Sequence, residues 1–263
     1  MSNYIVTAGQ VDLDISNPRP GHITAFAIAW SLSQLNRFTG HALRPYSVAE
    51  HSLLVCDIAE RVLGLDVHGQ FAALMHDAHE FITGDLHTPG KHMVGHGWRR
   101  WEDSMQHAVL SAFSLVGTHQ MHAASIKRAD LIALATERRD LLPTTPGIWP
   151  VLTNIEPLAT VDLYSPERID ANWETWRDCW LDRYHELEAQ RNRLIFGYSR
   201  HTPATPNRLG HEWDEDACCI HCGQDGAEVA HLAKTAAYER TDSDRWCEAR
   251  ERTQRSNTAI AHP

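Results

Sequence analysis

The spacing of apolar residues is the feature that most restricts the fold of this chain. From His51 to Val62 the apolar side chains recur three and four residues apart, which is typical of a helix with one buried face. Strand-like alternation is confined to residues 4–15, where we expect a short ribbon. The sequence therefore predicts an all-α helical bundle, with helices over about 23–35, 47–62, 68–83, 102–116, 123–142 and 167–194.

Several of these helices have recognisable ends. Ser47 and Glu50 form the pattern of a capping box, in which each side chain satisfies the free backbone amide of the other residue. Gly84 is a good terminator for the third helix. Pro143 ends the fifth, because the residue before a proline disfavours helix. The second helix is expected to bury one stripe of side chains: His51, Leu54, Val55, Ile58 and Val62.

The composition changes near residue 200, where His, Cys, Asp and Arg become frequent. We therefore expect one large domain at 1–195, followed by a linker and a small Cys/His-containing C-terminal appendage or tail at 196–263. Cys219 and Cys222 have the spacing of a structural zinc turn, but free thiols in a loose tail remain an alternative interpretation. The zinc interpretation uses four ligands: His211, Cys219, Cys222 and Cys247, with His231 as another candidate.

The charge and composition exclude some classes of partner. The net charge is −10, so a broad basic face for long nucleic acid is not expected, because such binding relies on many phosphate contacts. A small anionic ligand is still compatible, since a few local cations and a metal can outweigh the global field. The sequence has no apolar run of membrane-helix length and no export pattern at its start, and its cysteines are concentrated near its end. We expect a cytoplasmic protein without membrane contact.

Polar residues with metal-ligand chemistry lie on the buried faces of three predicted helices. His51 belongs to the second helix, the pair His76 and Asp77 to the third, and Asp130 to the inner stripe of the fifth. Burying unpaired imidazoles and carboxylates is costly, so these side chains should converge on something that satisfies them. A divalent cation does this and leaves positions for water and phosphate. Glu80 follows His76 by four residues, so the third helix would project both toward one side.

These stretches resemble the HD-domain superfamily. Within it, the chain is similar to the bacterial 5′-deoxynucleotidases and to bacteriophage deoxynucleotide phosphohydrolases, including the dATP triphosphohydrolases. The resemblance covers about residues 15–142 and continues more weakly to about 191. It implies an HD-domain helical bundle and a homo-oligomer. The matching stretches are residues 36–38, 47–53, 76–91 and 127–130.

The resemblance also implies roles for residues at matching positions. Glu80 and Asp85 would position and activate the attacking water, and Arg37 and Lys91 would contact the substrate phosphate. Trp30 could stack on the nucleobase, although an aromatic residue in an apolar helix also suits a core. One divalent ion (Co²⁺, Mn²⁺, Zn²⁺ or Mg²⁺) would be bound by four ligands: His51, His76, Asp77 and Asp130.

Two departures from the bacterial nucleotidases bear on the substrate. Phe38 stands where those enzymes usually have Trp, and the spacing from Arg37 to His51 is one residue shorter than theirs. Residues 39–41 are more similar to the phage branch, and this similarity favours a dNTP, with a dATP-like purine preferred, that would be split into deoxynucleoside and triphosphate. The alternative is a 5′-deoxynucleotidase acting on dNMPs.

Two other classes remain open. One is a non-catalytic nucleotide-binding module. Glu80 and Asp85 disfavour it, because binding alone does not require a pair of residues that activate water. The other is an HD oxygenase with two irons. Such proteins have a histidine at the position of Glu80, so the glutamate favours a hydrolase with one metal ion.

Overall fold

The computed structural model describes residues 3–196. Within that range the chain forms nine α-helices and one two-stranded sheet, which confirms the predicted all-α bundle. The chain divides into two units, Met1–Arg191 and Asn192–Pro263. The predicted appendage from 197 onward lies outside the described residues, and so do all four predicted zinc ligands: His211, Cys219, Cys222 and Cys247.

The two strands form an antiparallel hairpin, the predicted ribbon, in which Ile5 pairs with Leu13. Residues 142–165 form a connector between the helices at 116–141 and 166–170, and it contains a short 3₁₀ turn, Pro150–Leu152. Among the described helices, none combines the length and the apolar character needed to cross a membrane. In chain order the elements are β1 Tyr4–Val6, β2 Asp12–Asp14, α1 Ala25–Leu32, α2 Val48–Arg61, α3 Val67–Leu74, α4 Glu80–Thr83, α5 Thr88–Val94, α6 His96–Ala112, α7 Val116–Leu141, α8 Pro166–Asp170 and α9 Trp173–Phe196.

Helix α2 lies at the centre of the molecule. It packs against α3 and α7, which also pack against each other. One buried apolar cluster joins α2 and α3 to α1, α6 and α9, and a second joins them to α7. Because α2 has apolar clusters on both sides, any polar side chain on it must find a partner inside the protein.

The ends of α2 test the predicted capping box. Ser47 accepts a hydrogen bond from the backbone N–H of Glu50 at 3.1 Å, as predicted. The reciprocal half is wrong, because the Glu50 carboxylate is bound by Arg44 at 2.6 and 2.8 Å and by Arg168 at 2.6 Å. Val62 is also not on the buried stripe: it is 48% exposed, since the helix ends one residue earlier.

The predicted third helix is interrupted. Helix α3 ends at Leu74, residues 75–79 form a turn, and α4 begins at Glu80 and ends at Gly84, as predicted for the terminator. Two side-chain hydrogen bonds support the break. Nδ1 of His76 donates to the carbonyl of Ala73 at 2.8 Å, and Gln106 of α6 donates to the carbonyl of His76 at 3.1 Å.

Other helix boundaries also differ from the sequence-based prediction. Helix α5 was not predicted, although Pro89 lies in its first turn and His87 caps it by accepting from the amide of Gly90 at 3.0 Å. Helix α6 runs six residues further upstream than predicted, and α7 seven residues further. The last predicted helix is two helices, because Asn172 caps α9 by accepting from the Thr175 amide at 2.9 Å.

Candidate metal centre

His76 and Asp77 lie side by side in the turn between α3 and α4. His76 Nε2 is 3.1 Å from Asp77 Oδ2. The argument from helical spacing to Glu80 was therefore wrong, because residues 75–79 are not helical. The turn nevertheless brings the imidazole and the carboxylate together, with Glu80 starting the next helix.

Helices α2 and α7 bring the other two predicted ligands to this turn. His51, which is fully buried, places Nε2 at 3.3 Å from Nε2 of His76 and 3.5 Å from Oδ2 of Asp77. Asp130 places Oδ1 at 3.4 Å from the same His51 nitrogen. Ligand atoms of the two histidines and Asp77 all lie within 4.8 Å of one another. The structure thus brings the four side chains together, and their role as metal ligands stays a prediction.

The hydrogen bonds and the spacing of the ring nitrogens of the two histidines are compatible with a bound cation. Nδ1 of His51 lies 2.5 Å from Oε1 of Glu137, and Nδ1 of His76 lies 2.8 Å from the carbonyl of Ala73. Both partners accept, so each Nδ1 donates and each neutral ring keeps a lone pair on Nε2. Two lone pairs facing each other at 3.3 Å repel unless positive charge lies between them. Ligand atoms about 2.1 Å from one ion lie about 3.0–3.4 Å apart, so the observed spacing suits a shared divalent cation.

The charges around this point favour the same occupant. Burial acts to raise the pKa of Asp77, but His76 and His51 outweigh it and hold the pKa well below its ordinary value. Burial opposes ionisation of Asp130 in the same way, and the two histidines again lower its pKa. Burial and a nearby arginine act to lower the pKa of His51, but the surrounding carboxylates hold it well above its usual value. A divalent cation therefore competes with a proton for His51.

Arg37 lies beside the cluster, where the resemblance placed a phosphate-binding group. Its side chain is 11% exposed; Nη1 is 3.5 Å from Oδ2 of Asp77, and Nη2 is 3.5 Å from Oε2 of Glu137. Its Nε is buried and has no hydrogen-bond partner among the described residues. Burial acts to lower the pKa of Arg37, but Glu137, Asp85 and Asp77 raise it above its ordinary value, so the guanidinium stays charged.

The backbone that carries Arg37 is strained. Phe38 and Thr39 have φ angles of 56° and 53°, and Gly40 follows at 75°. The left-handed conformation costs residues other than glycine about 1–2 kcal/mol each, and it is rare for a β-branched residue such as Thr39. Such strain persists only where the surroundings fix the segment. Here the Arg37 amide donates to the carbonyl of Tyr46 at 2.8 Å, and the Arg37 guanidinium lies 5.5 Å from the Phe38 ring centre.

The two predicted catalytic carboxylates lie at the two ends of α4. Glu80 starts the helix and is 2% exposed, and its Oε2 is buried without a hydrogen-bond partner within residues 3–196. Burial, together with the charges of Asp77 and Asp85, raises the pKa of Glu80 well above its ordinary value. Asp85 follows Gly84, whose φ of 72° ends the helix. Burial also raises the pKa of Asp85. Catalytic roles for both stay predictions.

Lys91 is engaged by a carboxylate. Its Nζ lies 2.6 Å from Oε1 of Glu102 on α6. Burial acts to lower the pKa of Lys91, but Glu102, Glu80 and Asp77 raise it, so the ammonium stays charged. The predicted phosphate contact would require Lys91 to share its charge with Glu102, and it stays a prediction.

Trp30 is half-buried and contacts three protein side chains. Its ring centre lies 4.8 Å from that of Trp173 and 5.6 Å from that of Phe26, and the Arg177 guanidinium is 5.4 Å away. The same residue lines a cavity of about 460 Å³ between the hairpin, α1 and Phe81. The contacts give Trp30 a packing role, and base stacking stays a prediction.

Sequence reasoning missed Glu137. This residue of α7 is fully buried and contacts both His51 and Arg37. It follows Asp130 by seven residues, which is about two helical turns, so both residues lie on one face of α7. That spacing was the one indication in the sequence that Glu137 belongs to the site.

Comparisons with known proteins give three relatives. The chain is 37% identical over 128 residues to YfdR of Escherichia coli, and 38% identical over 120 residues to a protein of Rhodobacter capsulatus, both described as uncharacterized. It spans 66% and 60% of their lengths, less than two thirds of either. A 5′-deoxynucleotidase of Erwinia tasmaniensis is 31% identical over 138 residues, which are 42% of this chain and 69% of that protein. No protein-family model matches the chain.

Proposed function

The chain belongs to the family of the Erwinia tasmaniensis 5′-deoxynucleotidase, and on that premise we propose that it is an HD-type phosphohydrolase that cleaves a phosphoester bond of deoxynucleotides with a divalent metal ion. The observation that carries the proposal is the meeting of His51, His76 and Asp77 within 4.8 Å, beside a buried arginine. Such a set of nitrogen and oxygen ligands with an adjacent cation suits a phosphate bound next to a metal.

The proposed metal ligands differ in what they contribute. His51 and His76 offer neutral Nε2 atoms, each oriented by a hydrogen bond at Nδ1. Asp77 and Asp130 stay ionised and offset the charge of the cation. When bound, a divalent cation polarises a phosphate oxygen and makes water a stronger acid.

Arg37 is the proposed phosphate-binding residue. Its guanidinium is already charged and buried, and Nε has no partner within the described part of the chain. A phosphate oxygen would therefore satisfy a donor that is otherwise orphaned, and it would share the positive charge now facing Asp77 and Glu137. In the transition state the guanidinium would neutralise charge that develops on the phosphoryl oxygens.

Glu80 is the proposed general base. Its unpartnered Oε2 is free to accept a proton from the attacking water, a step that requires an acceptor within hydrogen-bond reach. Asp85, which follows the Gly84 turn, would orient that water from the other end of α4. The proton would pass to Glu80 Oε2 as the new phosphorus–oxygen bond forms and the bond from phosphorus to the 5′ oxygen of the deoxynucleoside breaks. The leaving 5′ oxygen would take its proton from Glu80 or from solvent.

The substrate is proposed at the level of a deoxynucleotide, with two candidates. A dNMP is favoured by the Erwinia tasmaniensis relative, which is described as a 5′-deoxynucleotidase. A dNTP, dATP-like in its base, is favoured by residues 39–41, which are similar to the phage branch. The two differ in the product, inorganic phosphate against triphosphate.

A product screen tests the proposal. The metal-stripped protein is reloaded with Co²⁺ or Mn²⁺, incubated with each dNMP and each dNTP, and the products are separated by ion-exchange chromatography. We expect metal-dependent release of phosphate or triphosphate, and loss of that release in Asp77→Asn. Asp57→Asn, which removes a surface carboxylate of α2 paired with Arg61, should retain it.

Two results would contradict the proposal. A protein that binds metal and nucleotides but turns over none of them would be a non-catalytic binding module. A protein that contains two irons per chain by metal analysis would instead fit the oxygenase class.

A further inference from the structure

Glu137 is a buried carboxylate that the proposed chemistry does not use. It lies on α7, is fully buried, and has three partners from different parts of the chain. Its Oε1 lies 2.5 Å from Nδ1 of His51 and accepts from the Tyr46 hydroxyl at 2.9 Å, and its Oε2 lies 3.5 Å from Nη2 of Arg37. We infer that Glu137 is a positioning residue that sets the metal-binding histidine and the phosphate-binding arginine together; this inference rests on the proposed function.

The contact between Glu137 and His51 fixes the orientation of the His51 ring. A carboxylate can only accept, so Nδ1 carries a proton, and in the neutral ring that binds a metal ion Nε2 presents its lone pair toward His76 and Asp77. The Tyr46 hydroxyl donates to the same Oε1 atom and keeps the carboxylate from rotating. Partners of this kind orient metal-binding histidines and raise their basicity, and losing one typically weakens metal binding about 10–100-fold.

The contact between Glu137 and Arg37 fixes the guanidinium of Arg37. Its guanidinium lies between two carboxylates, with Nη1 toward Asp77 and Nη2 toward Glu137, each at 3.5 Å. A buried guanidinium without a counter-charge is costly, so Glu137 keeps it in place while Asp77 is shared with the metal position. The hydrogen bond from the Arg37 amide to the carbonyl of Tyr46 fixes the Arg37 backbone, and Glu137 fixes the far end of its side chain.

One carboxylate therefore supports both ligand-binding groups without belonging to either ligand set. Removing Glu137 should weaken the binding of the metal and of the phosphate together. Replacing it by glutamine should separate the two effects. The amide oxygen can still accept from His51, but the amide nitrogen then faces Arg37, donor against donor.

Two probes test the inference without any nucleotide. Calorimetry measures the affinity of the protein for Co²⁺, and the affinity of the Co²⁺-loaded protein for inorganic phosphate. In Glu137→Ala we expect Co²⁺ affinity to fall about 10–100-fold and phosphate affinity to fall as well. In Glu137→Gln we expect a smaller loss of Co²⁺ affinity and a comparable loss of phosphate affinity. Should the alanine variant fail to fold, the glutamine variant alone carries the test.

Glu50→Gln is the matched control. Glu50 is also a buried carboxylate, 1% exposed and paired with arginines, but its partners are Arg44 and Arg168. This variant should unfold at a lower temperature while keeping both affinities. If the Glu137 variants lose stability but bind Co²⁺ and phosphate as the wild type does, Glu137 is a packing residue and the inference is overturned.

A spectroscopic readout separates positioning from general loosening. In the Zn²⁺-loaded protein, the Nδ1 proton of His51 should resonate far downfield because of its short hydrogen bond to Glu137. The resonance should move upfield in Glu137→Ala and stay in Glu50→Gln. Since none of these readouts uses a nucleotide, a chain that hydrolyses no deoxynucleotide but shows these changes would refute the proposed function and leave the inference standing.

Discussion

Glu80 combines deep burial with an oxygen that, within residues 3–196, has no hydrogen-bond partner. Burying an unsatisfied polar atom costs roughly 1–3 kcal/mol, and more when the group is charged. Proteins tolerate such costs mainly where function needs the group, because stability and activity trade off at active sites. The residue therefore predicts a variant that loses catalysis without losing stability.

Glu80→Gln should bind Co²⁺ as the wild type does and lower the rate of nucleotide hydrolysis about 10²–10⁴-fold, the usual range for a general base. Its free energy of unfolding should not fall, because burial, Asp77 and Asp85 already disfavour the charged carboxylate at this position, and the neutral glutamine keeps its shape. Steady-state rates, Co²⁺ calorimetry and urea unfolding measure the three quantities. Glu60→Gln, a carboxylate of α2 paired with Arg183, is the control and should keep its rate. Full activity in Glu80→Gln would remove the assigned base.

Individual residues also mark the limit of what the sequence could predict. His51 was identified because a capped helix and apolar spacing define which face of α2 is buried. The hydrogen bond between His51 and Glu137 was not predicted, because the two residues are 86 positions apart and only the packing of α7 on α2 brings them together. Pairings across such distances depend on how helices cross, which apolar spacing within one helix does not determine.

Two irregular elements, the turn at residues 75–79 and the 3₁₀ turn Arg37–Gly40, place His76, Asp77 and Arg37 in the site. The sequence predicted helix through the first, because none of its residues is a glycine or proline that would break one. At the break, the Gln106 side chain of α6 donates to the carbonyl of His76, a tertiary contact that local helix preference does not include. Helix ends that depend on local chemistry, such as those at Ser47 and Gly84, were predictable because the residues that determine them are neighbours in the sequence.

Thr39→Gly should relieve strain in the 3₁₀ turn. The left-handed φ costs threonine about 1–2 kcal/mol, and glycine gives back part of that through its freedom in the unfolded chain, so the net gain in stability is about 0.5–1 kcal/mol. The looser turn should hold Arg37 less firmly and weaken inorganic phosphate binding. Ser114→Gly, at φ 54° after α6, should gain similar stability with phosphate affinity unchanged. Urea unfolding and calorimetry measure both, and unaltered phosphate binding in Thr39→Gly would show that the strain does not serve Arg37.

Gly84→Ala should damage the end of α4. A Cβ at this position meets no atom within 4 Å, so the cost comes from the backbone alone. A φ of 72° with a ψ of 162° is a conformation that essentially only glycine adopts, and alanine there should lose about 1–3 kcal/mol of stability. Because Asp85 follows directly, the hydrolysis rate should fall as well. Gly97→Ala in α6 also meets open space but has an ordinary φ, and it should gain up to about 1 kcal/mol without a change in rate. Equal behaviour of the two variants in thermal melts would contradict the role of the left-handed turn.

At the scale of the whole molecule, the site is where the three central helices meet. Its proposed ligands come from α2, from the turn after α3 and from α7, and those helices pack against one another to form the second apolar cluster. Four polar side chains at such a junction oppose burial unless a cation satisfies them. Metal binding should therefore contribute to the stability of the entire bundle.

Co²⁺ at about 100 times its dissociation constant should raise the free energy of unfolding by about 2.7 kcal/mol, since it binds the folded chain and not the unfolded one. Asp77→Asn, which keeps the shape of the side chain but removes its charge, should gain clearly less at the same Co²⁺ concentration. Urea unfolding with Co²⁺ and with a chelator measures the difference. Equal stabilisation of both proteins would place the ion elsewhere.

Two arginines that follow the connector in sequence bind carboxylates of α2, which precedes it. These contacts have a consequence for a chain that is cut within the connector. Arg168 and Arg183, which follow the connector, bind Glu50 and Glu60 on α2, and Trp180 is fully buried in the core. The backbone at residues 144–147 is exposed, so a protease can reach it. A cut there would yield two fragments that remain docked and fold as a complementing pair, because the contacts between them do not depend on the peptide bond that was lost.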